Sequence, residues 1–393
     1  MPIRGAMPLA LLAKKQELTT IIAPYDNRHE LSVVQGITIF CARSLQEVVL
    51  HLTGQKLLTP LVPLRFSEFS EKKADIANFG DVIGQQQTKR ALEIAAAGFH
   101  NILLKGPPGT GKTMLARAFP SILPPLEPDE VMEVSRIYSI NGLLNEDHPL
   151  VTIPPFRSPH HTISKVGLIG GGSKPMPGEI SLSHRGVLFL DEMAEFARST
   201  LESLRQPLED GFVSISRASG SAQFPTRFIL VAATNPCPCG NSGNIKKRCV
   251  CTPSQIINYK KKLSAPILDR IDLHVFVPMI PTEDVHHNRN ANNNDESSRI
   301  QEKVCAARKI QREKLVKAKI TTNGEMSTRE VKELCEITPA GEQVLKKALD
   351  TMNLSLRAYF KTIKVAQTIA DLAHSKIIED EHIAESLQFR VSE

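Results

Sequence analysis

The chain has 393 residues, of which 41% are apolar and 23% charged, with a formal net charge of +6. That length exceeds one compact core and points to two or three units, and the composition excludes a disordered chain. No run reaches the roughly eighteen apolar residues of a membrane-spanning helix, and the mild positive charge permits a nucleic-acid partner without requiring one.

The opening MPIRGAMPLALLAKK lacks the apolar core and cleavage site of a secretory leader, so a cytoplasmic location away from membranes is expected. Residues 1–60 contain the strand-like and helix-like pieces TTIIAP, LSVVQGITIF and SLQEVVLHLTG. Pieces this short rarely bury a core of their own, which suggests the end of a larger domain. Residues 61–80 are rich in proline and charge and read as a linker. Residues 81–281 read as one unit, in which DVIGQQQTKRALEIAAAG is a turn and an amphipathic helix and NILLK a short buried strand. Two further apolar runs, GVLFLDE at 186–192 and FILVAATN at 228–235, look like buried parallel strands. Strands separated by helical stretches predict an α/β fold with a parallel sheet. Residues 282–299 are polar and Asn-rich with no apolar face, a flexible linker by composition. Residues 300–393 alternate helical faces with short breaks and predict a small all-helical lid domain.

Between the first strand and the next helix lies GPPGTGKT, made of Gly106, Pro107, Pro108, Gly109, Thr110, Gly111, Lys112 and Thr113. A phosphate-binding loop needs glycines where backbone curls round phosphates, a lysine for the outer phosphates and a hydroxyl for magnesium. This string supplies all three, and a helix N-terminus follows it. The same chemistry requires a magnesium-holding carboxylate and a water-activating one at the end of a neighbouring strand. Asp191 and Glu192 close such a strand. Asn235, ending the next one, is placed to orient the attacking water, with a turn role before Pro236 as the alternative. ATP and Mg2+ are therefore the expected ligands, on an AAA+ type core. Arginines outside the loop are also required. Arg270 and Arg357 are the candidates, although each suits an ordinary surface ion pair equally well.

The strings PHHTIS at 159–164, GGGSKPMPGEISLSHRGVLFLDEM from 170, LRQPLEDGFVSISRA from 204, NPCPCG at 235–240, LDRIDLH at 268–274 and QTIADL at 367–372 together resemble the ComM/YifB family. Its members are magnesium-chelatase-like AAA+ ATPases. The resemblance implies a hexameric ring that moves on DNA and promotes branch migration in recombination and natural transformation. It further implies that Arg270 reaches the next subunit's ATP, that Arg357 is the lid arginine on the γ-phosphate, and that Arg217 faces DNA from a hairpin. The family begins with a complete Lon-protease-like domain, of which only the last part, residues 1–60, matches here. A chelatase-type or chaperone-like ATPase acting on protein is the alternative function, and a non-hydrolysing nucleotide-binding remnant a second.

Cys237, Cys239, Cys249 and Cys251 form two C-x-C pairs, close enough in the chain to converge on zinc. Reduced, unliganded thiols are the competing reading. His160 and His161 are adjacent and poorly placed to chelate one ion, so a polar or DNA-contacting loop is expected there. The 301–319 segment, with seven basic and two acidic residues, is a second candidate DNA surface or an exposed helix face.

Overall fold

The computed structural model describes residues 1–64, 77–173, 175–217, 220–243, 247–280, 295–352 and 354–390. The N-terminal part contains helix Ala6–Lys15, then β1 (Thr20–Pro24) and β2 (Thr38–Ala42), which pair in parallel. Its apolar residues Met7, Ala10, Leu31 and Ile39 share one core with Val131, Val134 and Leu150, so this part docks on helix Pro128–Asn141 instead of standing alone. The carboxylate of Glu30, at the same contact, accepts from Asn27 at 2.6 Å and from the Ser139 hydroxyl. Residues 61–64 extend this unit, because the Leu61 and Leu64 amides donate to Ile39 and Ser32 at 2.7 and 2.8 Å. Of the remaining expected linker, 65–76 lies outside the described residues.

The central unit is built on β3 (Ile102–Lys105), β4 (Phe156–Arg157), β7 (Val187–Leu190), β10 (Ile229–Thr234) and β11 (Leu273–Phe276). Between β4 and β7, β5 (Gly170–Gly171) and β6 (Met176–Pro177) form a small hairpin; β8 (Phe212–Arg217) and β9 (Gly220–Pro225) form a larger one. The five central strands are parallel, in the order β11-β3-β10-β7-β4. Successive side chains point to opposite faces, and both faces are covered. Ile102, Leu104, Val187, Phe189, Val231 and Ala233 meet the helix Gln86–Gly98 side, whereas Leu103, Leu188, Leu190, Leu230 and Ala232 meet the hairpin side. Burial on both faces is why these strands read as unbroken apolar runs. Every strand of this sheet being parallel, the C-terminal ends lie along one edge, and the phosphate-loop string leaves β3 there.

The C-terminal region is helical, with Glu296–Leu315, Thr328–Leu334, Pro339–Met352, Leu356–Leu372 and Asp380–Gln388. The first helix begins inside the segment expected to be a flexible linker. Of that linker, 282–294 falls outside the described residues, but Glu296 pairs with Lys89 at 2.7 Å and the Ser297 hydroxyl accepts the Phe79 amide at 2.9 Å. Those partners are some two hundred positions away in the chain, so local composition carries no trace of them. Val304, Ala307, Val365, Ile369 and Phe389 join the core beside helix Gln86–Gly98. The helical region thus packs on that helix and on the edge where the strands begin; Lys361 reaches Asp272, just before β11, at 2.8 Å.

Candidate functional site: a phosphate-loop cleft

Gly106 leaves β3 with its amide on the Thr234 carbonyl at 3.2 Å, so the loop is anchored to the neighbouring strand. A Cβ on Gly106 would lie 2.3 Å from the Val277 carbonyl oxygen, and Gly109 and Gly111 have φ of 81° and 88°. Only glycine meets both demands without strain. Helix Lys112–Ala118 follows at once. The Lys112 ammonium is buried and donates to the carbonyls of Gly106 and Pro107 at 2.6 and 2.8 Å and to Asn235 Oδ1 at 3.3 Å. Burial lowers its pKa, and the nearby Asp191 and Glu192 oppose that shift.

Across the cleft, Asp191 takes the Thr113 hydroxyl at 2.9 Å and the Glu192 amide at 3.0 Å, one on each carboxylate oxygen. The hydroxyl and carboxylate that a magnesium ion would need are therefore adjacent. Glu192 is exposed and left-handed, at φ 49° and ψ 47°. A non-glycine residue there costs on the order of 1 kcal/mol, and strain of this kind concentrates at functional positions. Lys112, Thr113, Asp191, Glu192 and Asn235 line one cleft of about 350 Å³ together with Pro108, Gly109 and Gly111. The sequence places these groups 123 positions apart; the parallel register of β3, β10 and β7 gathers them at one edge.

Arg270 and Arg357 are elsewhere. Arg270 is buried just before β11, at the edge of the sheet where strands begin, and Arg357 opens the helix Leu356–Leu372 beside it. Both guanidiniums pair with one carboxylate, Glu209, and Arg270 is further held by the Arg205 carbonyl at 3.2 Å and the Pro266 carbonyl at 2.5 Å. Burial works against ionisation of Glu209, but Arg270 and Arg357 outweigh it and its pKa is lowered. The two arginines line a groove of about 770 Å³ that includes no residue of the phosphate-loop cleft.

Arg217 ends β8 and is exposed, its guanidinium lying over Gly171 of the smaller hairpin, where a Cβ would come within 2.9 Å of it. His160 and His161 stack on each other, with ring centroids 4.1 Å apart, on an exposed loop. The basic 301–319 segment is partly structural: Arg308 donates to the Ala96 carbonyl at 3.1 and 2.7 Å, and Arg312 pairs with Glu127. Cys237, Cys239, Cys249 and Cys251 converge, all four sulfurs lying within 4.8 Å of one another.

Two residues of these sites carry no sequence signal of the role they take in the structure. Glu209 is one. The other is Gln85, left-handed at φ 57°, whose side-chain amide bridges the Thr110 carbonyl at 3.3 Å and the Pro278 carbonyl at 2.7 Å, tying the loop to the chain after β11.

Residues 78–285 match the family model described as magnesium chelatase, subunit ChlI, and residues 294–390 match its C-terminal companion. The competence protein ComM of Haemophilus influenzae is 42% identical over 392 residues, covering 99% of this chain and 74% of that protein. The YifB protein of Escherichia coli is 39% identical over 389 residues, covering 99% and 74%. A magnesium-chelatase 38 kDa subunit from Rhodobacter capsulatus is 27% identical over 197 residues, covering 46% of this chain and 56% of that one. Among the described residues no helix is long and apolar enough to cross a membrane. With a phosphate-loop cleft on a parallel sheet, a helical C-terminal region and relatives matched along nearly all its length, the chain belongs to the ComM/YifB family of magnesium-chelatase-like AAA+ proteins.

Proposed function

We propose that this protein is an ATP-hydrolysing motor that works on DNA, as a ring, in branch migration during recombination or natural transformation. The observation that carries the ATPase part is the convergence of Lys112, Thr113, Asp191, Glu192 and Asn235 in one cleft. Lys112 exchanges its loop carbonyls for the outer phosphates of ATP. Thr113 and Asp191 would hold Mg2+, which supplies charge to neutralise the phosphates when bound. Glu192 accepts the proton of the attacking water, and Asn235, already bonded to Lys112, orients that water. The residues fit this ligand pair, because Gly109 and Gly111 border open space, with no atom within 4 Å of where a Cβ would stand.

Arg270 and Arg357 act in this reading on another copy's ATP. Both sit at the strand-start edge of the sheet, whereas the loop leaves the opposite edge, so a head-to-tail ring of six copies brings the two surfaces together. Arg217 contacts DNA from the exposed hairpin; a relative named for competence supports the DNA reading. Zinc at the four cysteines is a third, structural cofactor. The protein works in the cytoplasm, with residues 1–60 as part of a Lon-protease-like unit ahead of an ATPase core and a helical domain. Remodelling of a protein partner is the second reading, supported by the chelatase matches. ATP turnover with and without a Holliday-junction substrate distinguishes them: stimulation by DNA is expected, indifference of assembled rings to DNA favours the protein partner, and no turnover leaves a nucleotide-binding remnant.

A further inference from the structure

We infer that the four-thiol knot, occupied by one zinc-type ion, is a brace for the phosphate loop, so that loss of the metal loosens the nucleotide site.

The donor set fits such an ion. Cys237 Sγ lies 3.4 Å from Cys239 Sγ and 3.7 Å from Cys249 Sγ, and Cys239 Sγ lies 3.6 Å from Cys249 Sγ. Four thiolates at about 2.3 Å around a tetrahedral zinc stand about 3.8 Å apart, close to these separations. Backbone amides also point at the sulfurs: that of Cys239 donates to Cys251 Sγ at 3.4 Å and that of Ser242 to Cys237 Sγ at 3.3 Å. All four cysteines are free of disulfides. Bare thiols gain little from crowding this closely, whereas thiolates round a dication gain both charge neutralisation and hydrogen bonds.

The knot touches the loop in two ways. Cys237, fully buried, comes two residues after Asn235, whose Oδ1 accepts from Lys112 at 3.3 Å. Gly240, between the two C-x-C pairs, has φ of 77°, and a Cβ built on it would stand 2.7 Å from Pro108 Cδ. Its amide is tied back to the Cys237 carbonyl at 2.9 Å. The backbone of the knot therefore presses on the phosphate loop at Pro108 while its first ligand holds the strand end that carries Asn235. A metal that fixes the loop around residues 237–251 fixes both contacts. Folding of a short metal loop is linked to ligation, so loss of the ion would loosen this segment.

This inference rests on Gly106–Thr113 being the nucleotide loop, and its test separates the two. Full-length protein purified without added metal is analysed for metal content, and binding of a fluorescent ATP analogue is titrated. One zinc per chain is expected. The Cys249→Ser/Cys251→Ser variant should lose the metal and bind nucleotide more weakly by about tenfold, the equivalent of about 1.4 kcal/mol. Gly240→Ala should keep its zinc, since all four thiols remain, yet weaken nucleotide binding by a similar factor because alanine is strained in itself at φ 77° and the added methyl also collides with Pro108. Gly240→Ala keeps the test open even where the double variant does not fold. Absence of zinc from wild-type protein overturns the metal site; wild-type nucleotide affinity in Gly240→Ala, or in a folded metal-free double variant, overturns the brace. Unchanged binding in Lys112→Ala instead removes the nucleotide-loop reading and leaves the metal result standing.

Discussion

Lys112 and Glu192 line the same cleft but meet different charges. In the proposed motor the ammonium, held by two carbonyls and Asn235, would face the phosphates of the ground state, and the exposed carboxylate of Glu192 would face the attacking water. Lys112→Ala should therefore weaken ATP binding by roughly ten- to a hundredfold, as expected for a lost charged hydrogen bond. Glu192→Gln should bind ATP nearly as tightly as wild type and lose roughly two orders of magnitude or more in turnover. Nucleotide titration and phosphate release measure the two effects, and wild-type turnover in Glu192→Gln would move the base elsewhere. Glu209 acts at a distance from this chemistry. As the shared partner of Arg270 and Arg357 it would, in the proposed motor, compete with a phosphate for both guanidiniums. The Arg357–Glu209 pair is exposed and worth at most about 1 kcal/mol, while Arg270 is buried beside it, so Glu209→Gln should raise DNA-independent hydrolysis by up to about fivefold through the freed Arg357. A fall to the level of Arg270→Ala would show that Glu209 instead orients the arginines.

At the scale of elements, the β8–β9 hairpin carries Arg217, which does not line the cleft, on a segment continuous with Glu209 through Gly211, whose φ is 70°. Arg217→Ala is expected to leave basal turnover nearly unchanged and to reduce stimulation by DNA. The salt dependence of DNA binding should also become shallower by about one counterion. A mutant that responds to DNA as wild type does would remove the hairpin from the interface. The junction between sheet and helices has its own signature. His274, on β11, is lowered to about 4 by burial, with Arg390 and Lys361 adding to the shift. A histidine whose folded pKa lies below its unfolded value of about 6.5 stabilises fully above that value and loses the contribution as pH falls towards 4. About 1–2 kcal/mol should be lost by pH 5, read as a falling Tm, and His274→Gln should flatten that slope. The strands β3, β7 and β10 and the cleft residues they present were legible in the sequence, since buried parallel strands are apolar runs and the loop's glycines answer to local backbone geometry. Glu209 was not, because its partners stand 61 and 148 positions away, nor was Gln85, whose left-handed conformation is held by tertiary contacts at Thr110 and Pro278. The start of the helix Glu296–Leu315 was hidden likewise, its first turn being fastened by Lys89 and Phe79.

For the whole molecule, the decisive feature is the separation of the two halves of the proposed catalytic set across one sheet. Lys112, Asp191 and Glu192 stand at the edge where the parallel strands end, and Arg270 and Arg357 at the edge where they begin, in grooves that share no residue. Within one chain the sheet and its core stand between the arginines and the cleft, so in the proposed motor a second copy would complete the site. Arg270→Ala protein should accordingly bind ATP with near wild-type affinity and fail to hydrolyse it. Lys112→Ala protein should be inactive for the opposite reason. Mixed in equal amounts and allowed to exchange, the two should recover activity, because an interface that joins an intact loop on one subunit to an intact arginine on the next forms in about a quarter of random head-to-tail contacts. Turnover of the mixture, measured against each variant alone and against a mixture locked by crosslinking before combination, is the test. Recovery only when subunits exchange establishes action between copies. Persistent inactivity in rings shown to have exchanged would mean that Arg270 supports its own chain, and the pairing with Glu209 would then be a structural clasp at the base of the hairpin.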